Sequence, residues 1–165
     1  MAGSKRAANA KSKTAAPASP ALRGGFFEVR ITGHFCAAHG LRFADGTREP
    51  SHGHNFQVAA VARAPQVDPG GMAVDFLKIH PALEAILKPL HNEDLNRLAP
   101  FCDPGTKPVA LPLAPWPSAA VSPSAEMVAR YIFERLTLAC DLPARLVRVD
   151  VEESPGCFGS YAVER

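Results

Sequence analysis

Three histidines lie close together in the chain: His39, and the pair His52 and His54 with Gly53 between them. Two histidines at i and i+2 on a strand project to the same side, so their imidazoles can grip one ion. His39, across a loop, can supply a third nitrogen. Three neutral imidazoles with an open fourth position are the pattern of a catalytic zinc centre, whereas a closed structural site takes four ligands, often thiolates. None of the four cysteines (Cys36, Cys102, Cys140, Cys157) stands at a matching spacing. His-x-His alone is equally the mark of two ordinary histidines, and its surroundings must decide.

Those surroundings begin with the elements that would carry the ligands. From Phe26 to Cys36, Phe27, Val29 and Ile31 alternate with Glu28, Arg30 and Thr32, which predicts a strand. Phe26 and Phe27 are expected in the core. A second strand is predicted from His52 to Arg63, with His52, His54, Phe56, Val58 and Ala60 on one face. The polar segment Gly40–Ser51, carrying Asp45-Gly46, then becomes a long functional loop between antiparallel partners. Phe76, Ile79, Leu83, Ile86, Leu87 and Leu90 form a helical stripe behind Asp75, a plausible N-cap. A second helix follows Ser122 or Ser124, its apolar face Ala125, Val128, Ala129, Ile132 and Leu136, with Glu126 where a carboxylate suits the dipole. Strands through Val147, Val149 and Val151, and from Tyr161 to Val163, end the chain. The order β-β-α-α-β-β argues for an α+β fold, an antiparallel sheet with two helices on one face.

Length and composition set the boundaries. A chain of 165 residues, 47% hydrophobic and 21% charged, is one globular domain with a core. We place that domain at residues 25–165. Residues 1–24 hold Lys5, Arg6, Lys11, Lys13 and Arg23, no acidic residue and almost no large apolar side chain. Such a stretch cannot bury enough surface to offset its ordering entropy, which predicts a disordered basic tail. An organelle transit peptide shares this composition, but arginine would dominate over lysine there and an amphipathic face would show. Seven prolines between Pro100 and Pro123, without periodicity, predict an irregular surface loop over residues 97–123, in which Trp116 either docks on the body or meets another subunit. A net charge of +2 is too small to indicate nucleic acid. No apolar run approaches the roughly 20 residues that span a bilayer. Dispersed cysteines without a CxxC read as reduced thiols in a cytoplasmic protein.

Six blocks then carry a resemblance. Phe35-Cys36-Ala37-Ala38-His39, His52-Gly53-His54-Asn55-Phe56, Gly71-Met72-Ala73-Val74-Asp75-Phe76, Leu95-Asn96, Ser122-Pro123-Ser124-Ala125-Glu126 and Val149-Asp150-Val151-Glu152-Glu153-Ser154-Pro155 occur in that order. They resemble the conserved blocks of the 6-pyruvoyltetrahydropterin / 6-carboxytetrahydropterin synthase family, from about Phe26 to Glu164. The resemblance implies the tunnelling fold (T-fold), assembly into trimers or hexamers, zinc on His39, His52 and His54 near subunit boundaries, and 7,8-dihydroneopterin triphosphate as substrate. It implies that Glu153 anchors the pterin ring, and it places Glu126 near the ring. On the residues alone, Glu153 ends an apolar row of Val147, Val149 and Val151. A carboxylate there can accept two N–H bonds from a 2-amino-pyrimidinone edge.

Two departures shape the expected chemistry. The family's catalytic cysteine before H-G-H is missing, and Glu49 stands three residues before His52. This resembles a variant subgroup that cleaves the side chain to 6-hydroxymethyl-7,8-dihydropterin, a folate precursor, with glutamate in place of cysteine. The family's Asp-His relay reads His91-Asn92 here. His91 is either a replacement from one residue away or an ordinary histidine at a helix C-terminus, where its cation suits the dipole. Expected catalytic residues are therefore Glu49 and His91. Arg42, Arg48 and Lys107 are available for a triphosphate. Competing readings are 6-carboxytetrahydropterin synthase activity, on the queuosine route, and a non-catalytic zinc- and pterin-binding homologue. Cys36 is expected as a buried thiol, and His34 and His80 as structural histidines.

Overall fold

Two thirteen-residue strands, β1 (Phe27–His39) and β2 (His52–Ala64), pair antiparallel in unbroken register, with Phe27 opposite Ala64 and His39 opposite His52. The computed structural model describes residues 25–102, 105, 107, 109, 121–140 and 145–164. The expected tail over residues 1–24 lies outside these, as does most of the proline-rich stretch with Trp116. Alternation does what the sequence predicts: Ile31, Phe35, Ala37 and His39 of β1 face the same side as Phe56, Val58 and Ala60 of β2, and all are buried. Phe35 and Phe56 stack with ring centroids 4.8 Å apart. Phe26 and Phe27 depart from expectation. Phe26, just before β1, and Phe27, its first residue, are 54% and 50% exposed.

A third, two-residue strand, β3 (Glu93–Asp94), runs parallel to β1 at Ala37 and Ala38. It is too short to leave a periodic signal, and it makes the sheet mixed rather than wholly antiparallel. β4 (Arg145–Ser154) pairs antiparallel with β2, and β5 (Cys157–Ala162) with β4, giving the order β3-β1-β2-β4-β5. Between Val61 and Ala62 the register shifts: Val61 faces Arg148 while Ala62 faces Leu146. This bulge changes the side-chain phase, so the buried row is Leu146, Val149 and Val151, with Val147 displaced from it. The last strand begins four residues before the expected Tyr161, because a tight turn at Pro155-Gly156 lets Cys157 pair with Ser154.

Helix α1 (Phe76–Leu87) starts at Asp75, whose carboxylate accepts the Leu77 N–H at 3.0 Å. Ile79, Leu83, Ile86, Leu87 and, in the following 3-10 turn, Leu90 are buried, while Phe76 at the first position stays 54% exposed. Helix α2 (Ala125–Ala139) is capped by Ser124, which accepts the Met127 N–H. Its expected face is buried, and Tyr131, Phe133 and Arg135 are buried with it. α1 packs on β1, and α2 on β4 and β5. Each large side chain so enclosed contributes about 1.5–3 kcal/mol. Leu98 and Phe101, inside the stretch expected as a surface loop, are also core residues. The other sheet face carries charged pairs around the buried Ala59 and Val61: Glu28 pairs with Arg63 at 2.7 Å, and Asp150 with Arg148 and Ser160. No described helix is long and apolar enough to cross a membrane. The α+β architecture with two helices on one face is as the sequence indicates.

Candidate metal centre

β1 ends on His39 and β2 begins on His52, directly opposite one another, with His54 opposite Ala37. Period two puts all three imidazoles on the helix-facing side, where the apolar row of Phe35, Phe56 and Val58 gives out. Ring centroids are 4.7 Å apart for His52 and His54, 5.0 Å for His39 and His52, and 5.3 Å for His39 and His54. β4 brings a fourth group. Glu153 Oε1 lies 3.4 Å from His39 Nε2 and 3.3 Å from His54 Nε2. One ligand atom from each of the four residues lies within 4.8 Å of the others.

Hydrogen bonds set the state of two rings. His39 Nδ1 is 2.8 Å from the Pro123 carbonyl, and His52 Nδ1 is 2.9 Å from the Pro50 carbonyl. A carbonyl only accepts, so each Nδ1 carries the proton and each Nε2 is left with its lone pair, the arrangement found behind metal-bound histidines. His39 Nε2 and His54 Nε2 are buried without a hydrogen-bond partner. An orphaned buried polar atom costs about 1–3 kcal/mol. Here a carboxylate oxygen faces them as well, so the lone pair of His39 Nε2 and a carboxylate oxygen converge on one point. A divalent cation between them removes that conflict, and a three-imidazole set with one carboxylate suits zinc. The residues present therefore fit the expected ion.

Access differs around the group. His39 is fully enclosed, while the His52 side chain is 37% exposed. At that open side stands Glu49, its Oε1 3.9 Å from His52 Nε2 and its Oε2 accepting the Leu41 N–H at 3.3 Å. The segment that carries Glu49 is a small hairpin. Leu41 and Glu49 are joined by a backbone hydrogen bond, as are Phe43 and Thr47. Gly46 turns the chain at φ 86°. Asp45 accepts from the Thr47 hydroxyl and N–H, and those bonds hold its carboxyl below the usual range. Ser122 Oγ accepts the Arg42 N–H at 2.8 Å, tying the hairpin to the approach of α2.

The remaining expected residues sit elsewhere. His91 is outside the four-residue group; its Nδ1 accepts the Cys36 N–H at 3.2 Å. It lines a cavity of about 500 Å³ between α1 and β1, with His34, His80 and Glu84. His34 and His80 are exposed, and His80 is 3.4 Å from Glu84 one helical turn on. Glu126 is exposed in the first turn of α2. Arg42 and Arg48 face each other across the hairpin, and Lys107 is exposed. Cys36 is half-buried, its thiol 2.8 Å from Asn55 Oδ1. Together with Asn92, Glu93, Asp94 and Arg97 it borders a groove of about 590 Å³ that reaches His54. Sequence reasoning missed two participants. The Pro123 carbonyl is a backbone group and leaves no side-chain signal. Glu153 was expected at a ring, and the folded distances set it against the imidazoles.

A family model described as 6-pyruvoyl tetrahydropterin synthase matches residues 28–164. No curated protein matches the chain. Among solved structures, the 6-pyruvoyl tetrahydropterin synthase of Caenorhabditis elegans aligns with a TM-score of 0.66 at 22% identity, covering 85% of this chain and 97% of that one. The Plasmodium vivax enzyme aligns with a TM-score of 0.64 at 21% identity, over 86% and 99%. The Plasmodium falciparum enzyme gives 0.62 at 20%, over 82% and 96%. With the family model spanning nearly all of the described strands and helices, the chain belongs to the 6-pyruvoyl tetrahydropterin synthase family.

Proposed function

We propose that this chain is a zinc-dependent lyase that cleaves the side chain of 7,8-dihydroneopterin triphosphate to 6-hydroxymethyl-7,8-dihydropterin. The family's members are lyases of pterin metabolism, which sets the substrate class. The observation that carries the finer reading is the Glu49 carboxylate, 3.9 Å from His52 Nε2 at the open side of the histidine group. Two Plasmodium vivax structures are of 6-pyruvoyltetrahydropterin synthase variants in which a catalytic glutamate is replaced, once by alanine and once by cysteine. That supports a glutamate as the acid/base group in this fold.

His39, His52, His54 and Glu153 would hold the zinc, whose coordination can expand to five, so that when bound it supplies Lewis-acid polarisation of side-chain oxygens. For retro-aldol cleavage the C2′ hydroxyl must lose its proton, and Glu49 accepts it. The C1′–C2′ bond then breaks as C2′ becomes a carbonyl, its electron pair passes into the dihydropterin ring, Glu49 returns a proton to C1′, and the two-carbon fragment leaves as an aldehyde bearing the triphosphate. Glu153 ends the β4 row where the ring must lie for C1′ to meet Glu49. In the observed arrangement its Oε1 serves the imidazoles, so a ring contact engages its other oxygen. Glu126, in the first turn of α2, suits the helix dipole. His91, bonded to Cys36, is a second proton donor only for a substrate that reaches the α1 side of β1.

The proposal includes a homo-oligomer. β3 covers β1 only at Ala37 and Ala38, and β5 is the other edge of the sheet. Open strand edges of this length are templates for pairing with another copy.

The deciding experiment is product analysis of zinc-loaded protein given 7,8-dihydroneopterin triphosphate, beside Glu49→Ala. A hydroxymethyl product lost in the variant supports the proposal. A carboxy product indicates the 6-carboxytetrahydropterin synthase reading. No product with zinc and pterin still bound indicates a non-catalytic homologue, the reading that the placement of His91 outside the group favours.

A further inference from the structure

We infer that Asn96 is a positioning residue that sets both the metal centre and Glu49, acting through Gly40. The inference rests on the functional reading of Glu49 and the three histidines. Asn96 is 6% exposed, one of few buried polar residues among those described. Its Oδ1 accepts the Gly40 N–H at 2.8 Å, and its Nδ2 donates to the Gly40 carbonyl at 2.9 Å. One side chain thus satisfies both backbone groups of Gly40, as a neighbouring strand would, at a place where β3 has already ended.

Gly40 is the residue after His39, so this clamp fixes the backbone that carries the enclosed metal ligand. The opposite side of Gly40 meets the segment leading to His52. A Cβ there would stand 2.7 Å from the Glu49 carbonyl oxygen and 3.3 Å from the Ser51 nitrogen. The chain leaving β1 is therefore held between the Asn96 amide and the base of the Glu49 hairpin. Asn96 is itself anchored, its N–H donating to Asp94 Oδ1 at 3.0 Å, in a 3-10 turn (Leu95–Arg97) whose Leu95 is fully buried. A rigid reference of this kind is what holds first-shell groups in productive geometry. Its bonds to Gly40 carry the effect of Asn96 to His39 on one side and to Glu49 on the other.

The test compares full-length wild type with Asn96→Ala, Asn96→Asp and Leu95→Ala. Asp keeps an acceptor for the Gly40 N–H but sets a second oxygen against the Gly40 carbonyl. Leu95→Ala removes neighbouring core volume without touching Gly40. Thermal midpoints of the metal-free proteins, Zn2+ affinity by chelator competition, and kcat on 7,8-dihydroneopterin triphosphate at saturating Zn2+ are measured. All three variants should lose stability. Only the Asn96 variants should bind Zn2+ more weakly, by about 10-fold or more, and lose kcat with zinc saturated. Should Asn96→Ala fail to fold, Asn96→Asp carries the comparison. Wild-type zinc affinity and kcat in an Asn96 variant, or equal losses in Leu95→Ala, overturn the inference while leaving the functional reading intact. A wild type that binds no zinc overturns the reading of the metal centre and the inference with it. Zinc binding without any effect of Glu49→Ala overturns the reading of Glu49, and the affinity comparison still decides the His39 arm.

Discussion

His39 and Pro123, 84 positions apart in the sequence, are joined by an Nδ1–H donating 2.8 Å to the prolyl carbonyl. The residues on either side of Pro123 act in the same place: Ser122 receives the Arg42 N–H, and Ser124 caps α2. Three consecutive residues thus hold the Glu49 hairpin, the buried His39 and a helix start. The candidate metal centre is consequently sensitive to where α2 begins.

Gly159 of β5 is the lever on that position. A Cβ at Gly159 would overlap the backbone nitrogen of Glu126 and stand 2.6 Å from the Ala125 carbonyl carbon. These are backbone atoms that cannot swing away, so Gly159→Ala must push the first turn of α2 off the sheet. Overpacking of this kind costs about 1–3 kcal/mol. We expect a lower midpoint in thermal unfolding and, because Pro123 moves with the turn, weaker Zn2+ binding by chelator competition. A variant with unchanged zinc affinity would show that the carbonyl contact does not set the His39 ring.

Metal should stabilise the fold measurably. The His39 lone pair set against the Glu153 carboxylate, and the unpartnered His54 Nε2, are a cost carried by the metal-free protein. Zinc at about 1,000 times its Kd adds roughly 4 kcal/mol by linkage. For a domain of this size that corresponds to a rise in midpoint on the order of 10 °C. A chelator should reverse it. Identical melting curves with and without zinc would remove the metal centre from the account.

Much of this was legible in the sequence because it is carried by side-chain periodicity. The alternation in β2 predicts both the core row and the shared direction of His52 and His54, Asp75 announces its helix, and of the two serines offered for α2 the cap is Ser124. What stayed hidden depends on register or on backbone groups. The bulge that exchanges Val147 for Leu146 in the core is a pairing event with no composition of its own. The parallel contact of Glu93 and Asp94 is two residues long. Pro123 takes part through its carbonyl, and Asn96 through a residue that only packing brings near.

The cysteines offer a check on the packing of α2. Cys140 follows the last helical residue and is partly enclosed, and burial pushes its thiol pKa up. Cys157, at the start of β5, is exposed. The thiolate is the reactive form, so at pH 8 Cys140 holds a smaller reactive fraction than an open thiol. Alkylation with iodoacetamide, followed by peptide mass analysis, should label Cys157 before Cys140, and raising the pH should narrow the gap. Faster labelling of Cys140 would mean that the end of α2 is not packed as observed.

Glu153→Gln separates the two jobs its carboxylate can do. Glutamine matches its shape but carries no charge and brings an N–H donor. In the metal-free protein that donor can bond a lone pair of His39 Nε2 or His54 Nε2, where the carboxylate now opposes one. The variant without metal should therefore be at least as stable as wild type. With zinc the sign reverses, since an anionic ligand has been lost, and affinity should fall by about 10- to 100-fold. A carboxylate that served only the pterin ring would behave otherwise: zinc affinity would hold, and only pterin binding would weaken, by about 1.5–3 kcal/mol for the charged hydrogen bond removed. Zinc titration and pterin titration of the same two proteins, with metal-free melting curves, decide between these outcomes. We expect the zinc loss to be the larger, because the observed contacts of Oε1 are with the two imidazoles.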